Sequence, residues 1–186
     1  MLIIGITGTL GAGKGTIVEY LKKERNFIHY SVRAYLLDVI RQRKLPENRD
    51  SMVSVANELR KKNAPSFIID ELFEIAKNND QNAIIESIRT PGEVDSLRQK
   101  SKFILLAVDA DPKIRYERIK LRNSETDHID YSTFIENEKR EMTTDDPNKQ
   151  NLRKCIDLAD FVIMNNGSIM ELHDQIDLII SNFDNK

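Results

Sequence analysis

Cysteine occurs once, at Cys155, so no intrachain disulfide can staple this chain, and a reducing compartment suits it. Long apolar runs are missing too. None approaches the roughly 20 residues that cross a bilayer as a helix, so membrane insertion is not expected. Nor does charge lean to one side: lysine and arginine total 28 against 30 aspartates and glutamates, a formal net charge of −2. No overall field therefore draws in nucleic acid or an anionic membrane, and any anion site must be local. His29, His128 and His173 are scattered without metal-ligand spacing and receive no role. Repeats and low-complexity tracts are absent, and the apolar Met1 to Ile6, without a basic flank, reads as a strand rather than a signal peptide. What is left is the expectation of a single cytoplasmic domain over 1–186, because 186 residues at 40% hydrophobic composition fill one core and fall short of two.

Short apolar runs alternate with longer amphipathic ones. Leu2 to Thr7, Phe27 to Tyr30, Ala83 to Ser87, Phe103 to Val108 and Phe161 to Met164 read as strands, with helical patterns between them. Near-continuous apolar character points to strands covered on both faces, hence an α/β fold built on a parallel sheet. Helix starts are marked by Thr90 with Glu93 around Pro91, by Thr133 with Glu136, by Ser168 with Glu171, and by Asp111 before Pro112. Asn123 to Asp130 is the strongest loop candidate, and Lys44 to Asp50 reads as a polar connection between two helices. Cys155 is expected to be packed.

The chemistry begins at the end of the first strand. Gly8, Thr9, Leu10, Gly11, Ala12, Gly13, Lys14, Gly15 and Thr16 follow a strand and open a helix, the context a phosphate-binding loop requires. Small residues let successive backbone N–H groups turn inward, and the helix N-terminus adds a positive dipole end for phosphates that Lys14 can reach. A hydroxyl directly after the lysine would ligate magnesium, but Gly15 stands there. The hydroxyl arrives one step later, at Thr16, rotated by about 100°, which suits another phosphate oxygen better and leaves the metal to water, nucleotide and distant carboxylates.

The lysine-glycine-threonine ending resembles adenylate kinases and related nucleoside monophosphate kinases. That resemblance implies a five-stranded parallel sheet with the P-loop strand central, helices on both faces and a small helical lid over about 115–145. It also implies ATP and magnesium as cofactors and a small-molecule nucleotide acceptor, held by a helical segment over about 31–80. By the same resemblance, Glu86 would organise magnesium-bound water and Arg89 would hold acceptor phosphate. Ser31 and Arg33 follow the second strand where the group carries a serine and an aspartate-x-x-arginine element; the aspartate is missing here. Arg60, in the following helices, is similarly a phosphate or base contact.

Arg115, Arg118 and Arg122 are spaced three and four apart on one helical face. The stripe resembles a kinase lid, with Arg118 and Arg122 opposing transferred charge. Asn165, Asn166 and Gly167 end the last strand in a segment similar to that of dephospho-coenzyme A kinases, where it borders adenine. Transfer of the γ-phosphoryl group to a nucleoside monophosphate is the activity so implied, by a monomer or homodimer. A dephospho-coenzyme A kinase, and a nucleotide-dependent switch or ATPase without a small acceptor, remain open as alternatives.

Overall fold

A computed structural model describes residues 1–122 and 128–184. The chain opens with β1 (Leu2–Gly8), α1 (Lys14–Arg25), β2 (Ile28–Ser31), α2 (Val32–Gln42), α3 (Arg49–Lys62) and α4 (Phe67–Asn79). It continues through β3 (Ala83–Glu86), α5 (Pro91–Lys100), β4 (Lys102–Asp109) and α6 (Pro112–Arg122), and closes with α7 (Tyr131–Met142), α8 (Leu152–Asp157), β5 (Phe161–Met164) and α9 (Ile169–Asp184). All five strands are parallel in the order β2-β3-β1-β4-β5, with Ile4 of β1 opposite Ile84 on one side and Ile104 on the other.

The pleat explains why the strands read as unbroken apolar runs. Leu2, Ile4 and Ile6 point with Ile84, Ile104 and Leu106 into one layer, packed by Ile17 and Leu21 of α1 and Leu172 and Ile176 of α9. Ile3, Ala83, Ile85 and Leu105 point the other way, into a layer closed by α2 to α5 and by Cys155 of α8. Both faces are buried, so alternation has no polar side to display. The fold class is α/β, with helices on both faces of the sheet and the strand that enters the phosphate loop at its centre. The expected strands differ from those observed by a residue or so at their ends, the usual margin of terminal hydrogen bonding. The Cys155 thiol is buried, which pushes its pKa up to about 12.

Helix starts follow their caps. Thr90 and Glu93 form the reciprocal capping box around Pro91, and Ser168 and Glu171 exchange the same pair of bonds. The expected start at Thr133 is displaced: Asp130 caps α7 instead, accepting from Thr133 N at 2.7 Å. A carboxylate is a stronger acceptor than a hydroxyl and its charge complements the dipole, so the helix begins at the earlier residue. Of the loop expected over Asn123 to Asp130, 123–127 lie outside the described residues. The polar connection after α2 is shorter than expected, because Asn48 caps α3 and draws Arg49 and Asp50 into it.

One cap also builds a socket. Glu93 is fully buried. Its Oε2 accepts from the backbone N of Arg89 and of Thr90, while its Oε1 accepts from Nε and Nη2 of Arg60 at 3.1 and 2.8 Å. Arg60 is only 1% exposed, so this ion pair has no water to replace it. Glu93→Ala should therefore cost about 3–5 kcal/mol, the scale of a buried charge left unpaired. In thermal unfolding the midpoint should fall by on the order of 10 °C. The double variant with Arg60→Met should recover part of the loss, and an additive double variant would refute this account.

Candidate active site

β1 runs into the phosphate loop with Gly8, Gly11 and Gly13 all at positive φ. At Gly13 (φ 104°) a Cβ would stand 2.3 Å from the side-chain nitrogen of Asn165, so both the conformation and the space require glycine. Thr9 and Ala12 turn inward and are buried; Thr9 Oγ1 donates to Asp109 at 2.6 Å. Leu10, Gly11, Gly13, Lys14, Gly15 and Thr16 line a cleft of about 950 Å³ over the carboxyl ends of the strands. The first turn of α1 carries no acidic residue and no side-chain cap, which leaves its positive dipole end uncompensated. Lys14 Nζ folds back over the loop, donating to Gly8 O at 3.0 Å and Thr9 O at 2.7 Å.

Residues distant in sequence support this loop from behind. Asn165 Nδ2 donates to Ala12 O at 2.8 Å, and Arg115 donates to Leu10 O and Ala110 O. Arg115 also pairs with Glu138 and with Asp109 and is buried, so the expected basic stripe on α6 is split. Its first member is a brace, because the face that begins at Arg115 packs inward under the loop. Arg118 and Arg122 do line the cleft, Arg118 donating to Asn165 O at 2.9 Å. Asn165 thus braces the loop and also lines the cleft. Asn166 accepts from Asp111 N and does not line the cleft, whereas Gly167 does.

On the opposite side, Ser31 caps α2 by accepting from Ala34 N and is not among the residues that line the cleft. Arg33 lines the cleft and is exposed. Arg60 lines it from its buried socket, with Nη1 finding no partner among the described residues. Glu86 and Arg89 stand where β3 ends, on either side of Ser87, whose φ of 71° lies in the left-handed region that disfavours a side chain. The strain turns the chain away while leaving the Glu86 carboxylate at the floor, where Ser87 Oγ donates to it at 3.1 Å and His29 Nε2 stands 3.1 Å away.

Three participants escaped the sequence reading. His29 is the partner of Glu86 just described. Arg49 and Glu141 complete a bridge: Glu141 takes Arg49 at 2.5 Å on one oxygen and Arg89 at 2.8 Å on the other, and is only 5% exposed. A signal for the last two did exist. An arginine in the first turn of α3 and a glutamate in the last turn of α7 both oppose the helix dipole, a placement that wants another reason.

Electrostatically the cleft departs from the chain as a whole, with eight Lys or Arg side chains against four Glu lining it. Burial, then the charge of Arg89, lowers the Lys14 pKa from 10.5 to about 7. Burial pushes the Glu86 carboxyl up, but the His29 hydrogen bond and the Lys14 charge outweigh it, leaving a net lowering. Burial likewise opposes ionisation of Glu141, and Arg89 and Arg49 overcome it. Arg49 is shifted down by burial and by Arg89, against the pull of Glu141.

The sign at Lys14 has a measurable consequence. A folded pKa below the unfolded one means the empty protein gains stability from this group as pH rises from about 7 toward 10.5. A bound polyphosphate favours the charged amine and reverses the shift, so binding must take up a proton above pH 7. Triphosphate affinity should fall as pH rises from 7 to 9, at a limit of about tenfold per pH unit. Calorimetry in two buffers of different ionisation enthalpy should register the uptake at pH 8, and zero uptake would show that Lys14 does not meet the phosphates.

The family described as AAA domain matches residues 4–146. A UPF0200 protein of Methanococcus maripaludis is 30% identical over 178 residues, covering 92% of this chain and 91% of its own. Among solved structures, a shikimate kinase from Bacteroides thetaiotaomicron superposes with a TM-score of 0.56 at 10% identity, covering 97% of this chain and 98% of its own. A gluconokinase from Sinorhizobium meliloti gives 0.55 at 12%, covering 92% and 86%. These two likenesses concern the fold.

Proposed function

Because the chain belongs to the AAA domain family and to the UPF0200 proteins, we propose that it is a P-loop phosphotransferase that moves the γ-phosphoryl group of ATP to a phosphate-bearing acceptor, a nucleoside monophosphate in the first instance. One observation carries this reading: Lys14 on the phosphate loop and the Arg49–Glu141–Arg89 bridge open into the same cleft, with Lys14 close enough to feel the Arg89 charge. Two anion sites facing each other are what a transfer between two phosphates needs, and a hydrolytic site needs only one.

In this mechanism the loop amides and Lys14 cradle the β- and γ-phosphates, Lys14 leaving the Gly8 and Thr9 carbonyls to do so. Arg89 and Arg49 hold the acceptor. One of its phosphate oxygens, already deprotonated, attacks the γ-phosphorus as the bond to the β-bridging oxygen breaks, so no general base is called for. Arg118 and Arg122 on α6 oppose the charge that spreads over the transferred group. Magnesium, when bound with the nucleotide, would neutralise the phosphate oxygens. Among the described residues no group of three His, Cys, Asp or Glu side chains is ready to hold a metal, so Thr16 and Glu86 would reach it through water.

The acceptor's body follows from the wall beyond Arg49. Val32, Leu36, Met52, Val53 and Ala56 line that part of the cleft, an apolar surface suited to a flat base. Shikimate and gluconate, the acceptors named for the two structurally similar kinases, present hydroxyls that such a wall would leave without partners. The test is magnesium-ATP transfer to a panel of ribo- and deoxynucleoside monophosphates, dephospho-coenzyme A, shikimate and gluconate, with products identified by mass spectrometry. A phosphorylated nucleotide is the expected result. Phosphorylation of shikimate or gluconate alone would overturn the acceptor class, and ATP hydrolysis with no acceptor modified would favour a switch or ATPase.

A further inference from the structure

The arginines proposed for the acceptor already hold an anion of the protein's own. Glu141 reaches in from α7 to bridge Arg49 of α3 and Arg89 beyond β3, at 2.5 and 2.8 Å, and nothing in the transfer chemistry uses it. Arg49 Nε and Arg60 Nη1 are nevertheless buried without an acceptor among the described residues. Buried donors left over beside a resident carboxylate indicate that the arginines are built for an anion with more oxygens than Glu141 offers.

Charge decides which anion can replace it. Two arginines and one glutamate leave a local charge of about one, by simple count. A carboxylate ligand that displaced Glu141 would exchange one monoanion for another and would still bear the entropic cost of binding. A phosphate monoester brings nearly two negative charges and three acceptor oxygens, enough to answer both guanidiniums and a spare donor. Resting on the transferase reading given above, we propose that Glu141 occupies the place of the acceptor's phosphate in the empty protein as a competitor the acceptor must displace, and that the second charge and third oxygen of a dianionic phosphate monoester let it do so where a carboxylate does not. Glu141 is then an internal competitor for the acceptor site that acts by being displaced.

Methyl phosphate and acetate are the probes, titrated calorimetrically into the wild-type protein, Glu141→Gln and Arg89→Ala at constant ionic strength. The subsite's share of methyl phosphate binding is the part that Arg89→Ala removes. In Glu141→Gln, methyl phosphate and acetate should both bind more tightly by about tenfold, the size of one charged hydrogen bond no longer displaced. Unchanged affinities overturn the role of Glu141 and leave the transferase reading intact. If Arg89→Ala removes no methyl phosphate binding, the acceptor-site reading itself fails and this inference fails with it.

Should Glu141→Gln not fold, the wild-type protein still decides the matter. Methyl phosphate gains its second charge near pH 6, so its affinity should rise about tenfold between pH 5 and 7. Protein groups around the bridge cannot mimic this rise. Lys14 can only lose positive charge as pH increases, which weakens anion binding; the other cationic or basic side chains around the bridge are His29, Arg49, Arg60, Arg89 and Arg140. Glu86 and Glu141, both held below the ordinary carboxylate range, are already ionised. A flat or falling profile would overturn the proposal.

Discussion

Lys14→Ala should lower transfer by at least about a hundredfold while leaving the circular dichroism spectrum unchanged. The rate loss follows from where the amine stands. Nζ folds over the phosphate loop itself, bonded to two of its carbonyls, and preorganised charge at a transferring phosphoryl group contributes on the order of 10²–10³ in rate. The fold should survive because those carbonyls keep their loop conformation through Gly8, Gly13 and the braces from Asn165 and Arg115, none of which involves the lysine. Removing a partly desolvated ammonium also relieves a cost in the empty protein. Turnover within a few-fold of wild type would remove the loop from the chemistry.

Arg89→Ala should raise the acceptor's KM by about a hundredfold and the KM for ATP by no more than about threefold. The asymmetry arises because Arg89 is bonded into the bridge with Glu141 and Arg49 rather than to the phosphate loop. The neighbouring architecture is spared: Glu93 holds position 89 by its backbone N–H, which the substitution keeps, and Glu141 retains Arg49. Losing a charge-assisted bidentate partner from a phosphate is worth a few kcal/mol, hence the expected size. Equal losses for both substrates would place Arg89 with general structure rather than with the acceptor, and steady-state kinetics at fixed magnesium distinguishes the two.

The contrast between Lys14 and Arg60 shows how unevenly the site could be read from residues alone. Lys14 sits in a contiguous motif whose glycines, strand before and helix after are all local, so its placement needed no knowledge of the rest of the chain. Arg60 looked like part of a basic helical face beside Lys61 and Lys62, yet it is buried on Glu93, 33 residues away. Arg115 misled in the same manner. Its helical spacing with Arg118 and Arg122 is real, but the packing of α6 beneath the phosphate loop buries the first of the three and leaves the others on the cleft. Ser31 had a hydroxyl at the end of a strand, and the cap of α2 claimed it. The Arg49–Glu141 pair spans 92 residues, and only opposition to two helix dipoles hinted at it.

By itself the sequence determined the strands, the doubly covered sheet, most helix starts and the phosphate loop, because each depends on side-chain period, backbone freedom or capping within a few residues. Tertiary structure alone decided which charges face the cleft, which support it from behind and which carboxylate rests between Arg49 and Arg89. Ion pairs that join α3, α5 and α7 across the molecule owe their geometry to how helices pack on the sheet, and that packing leaves no local pattern in the chain.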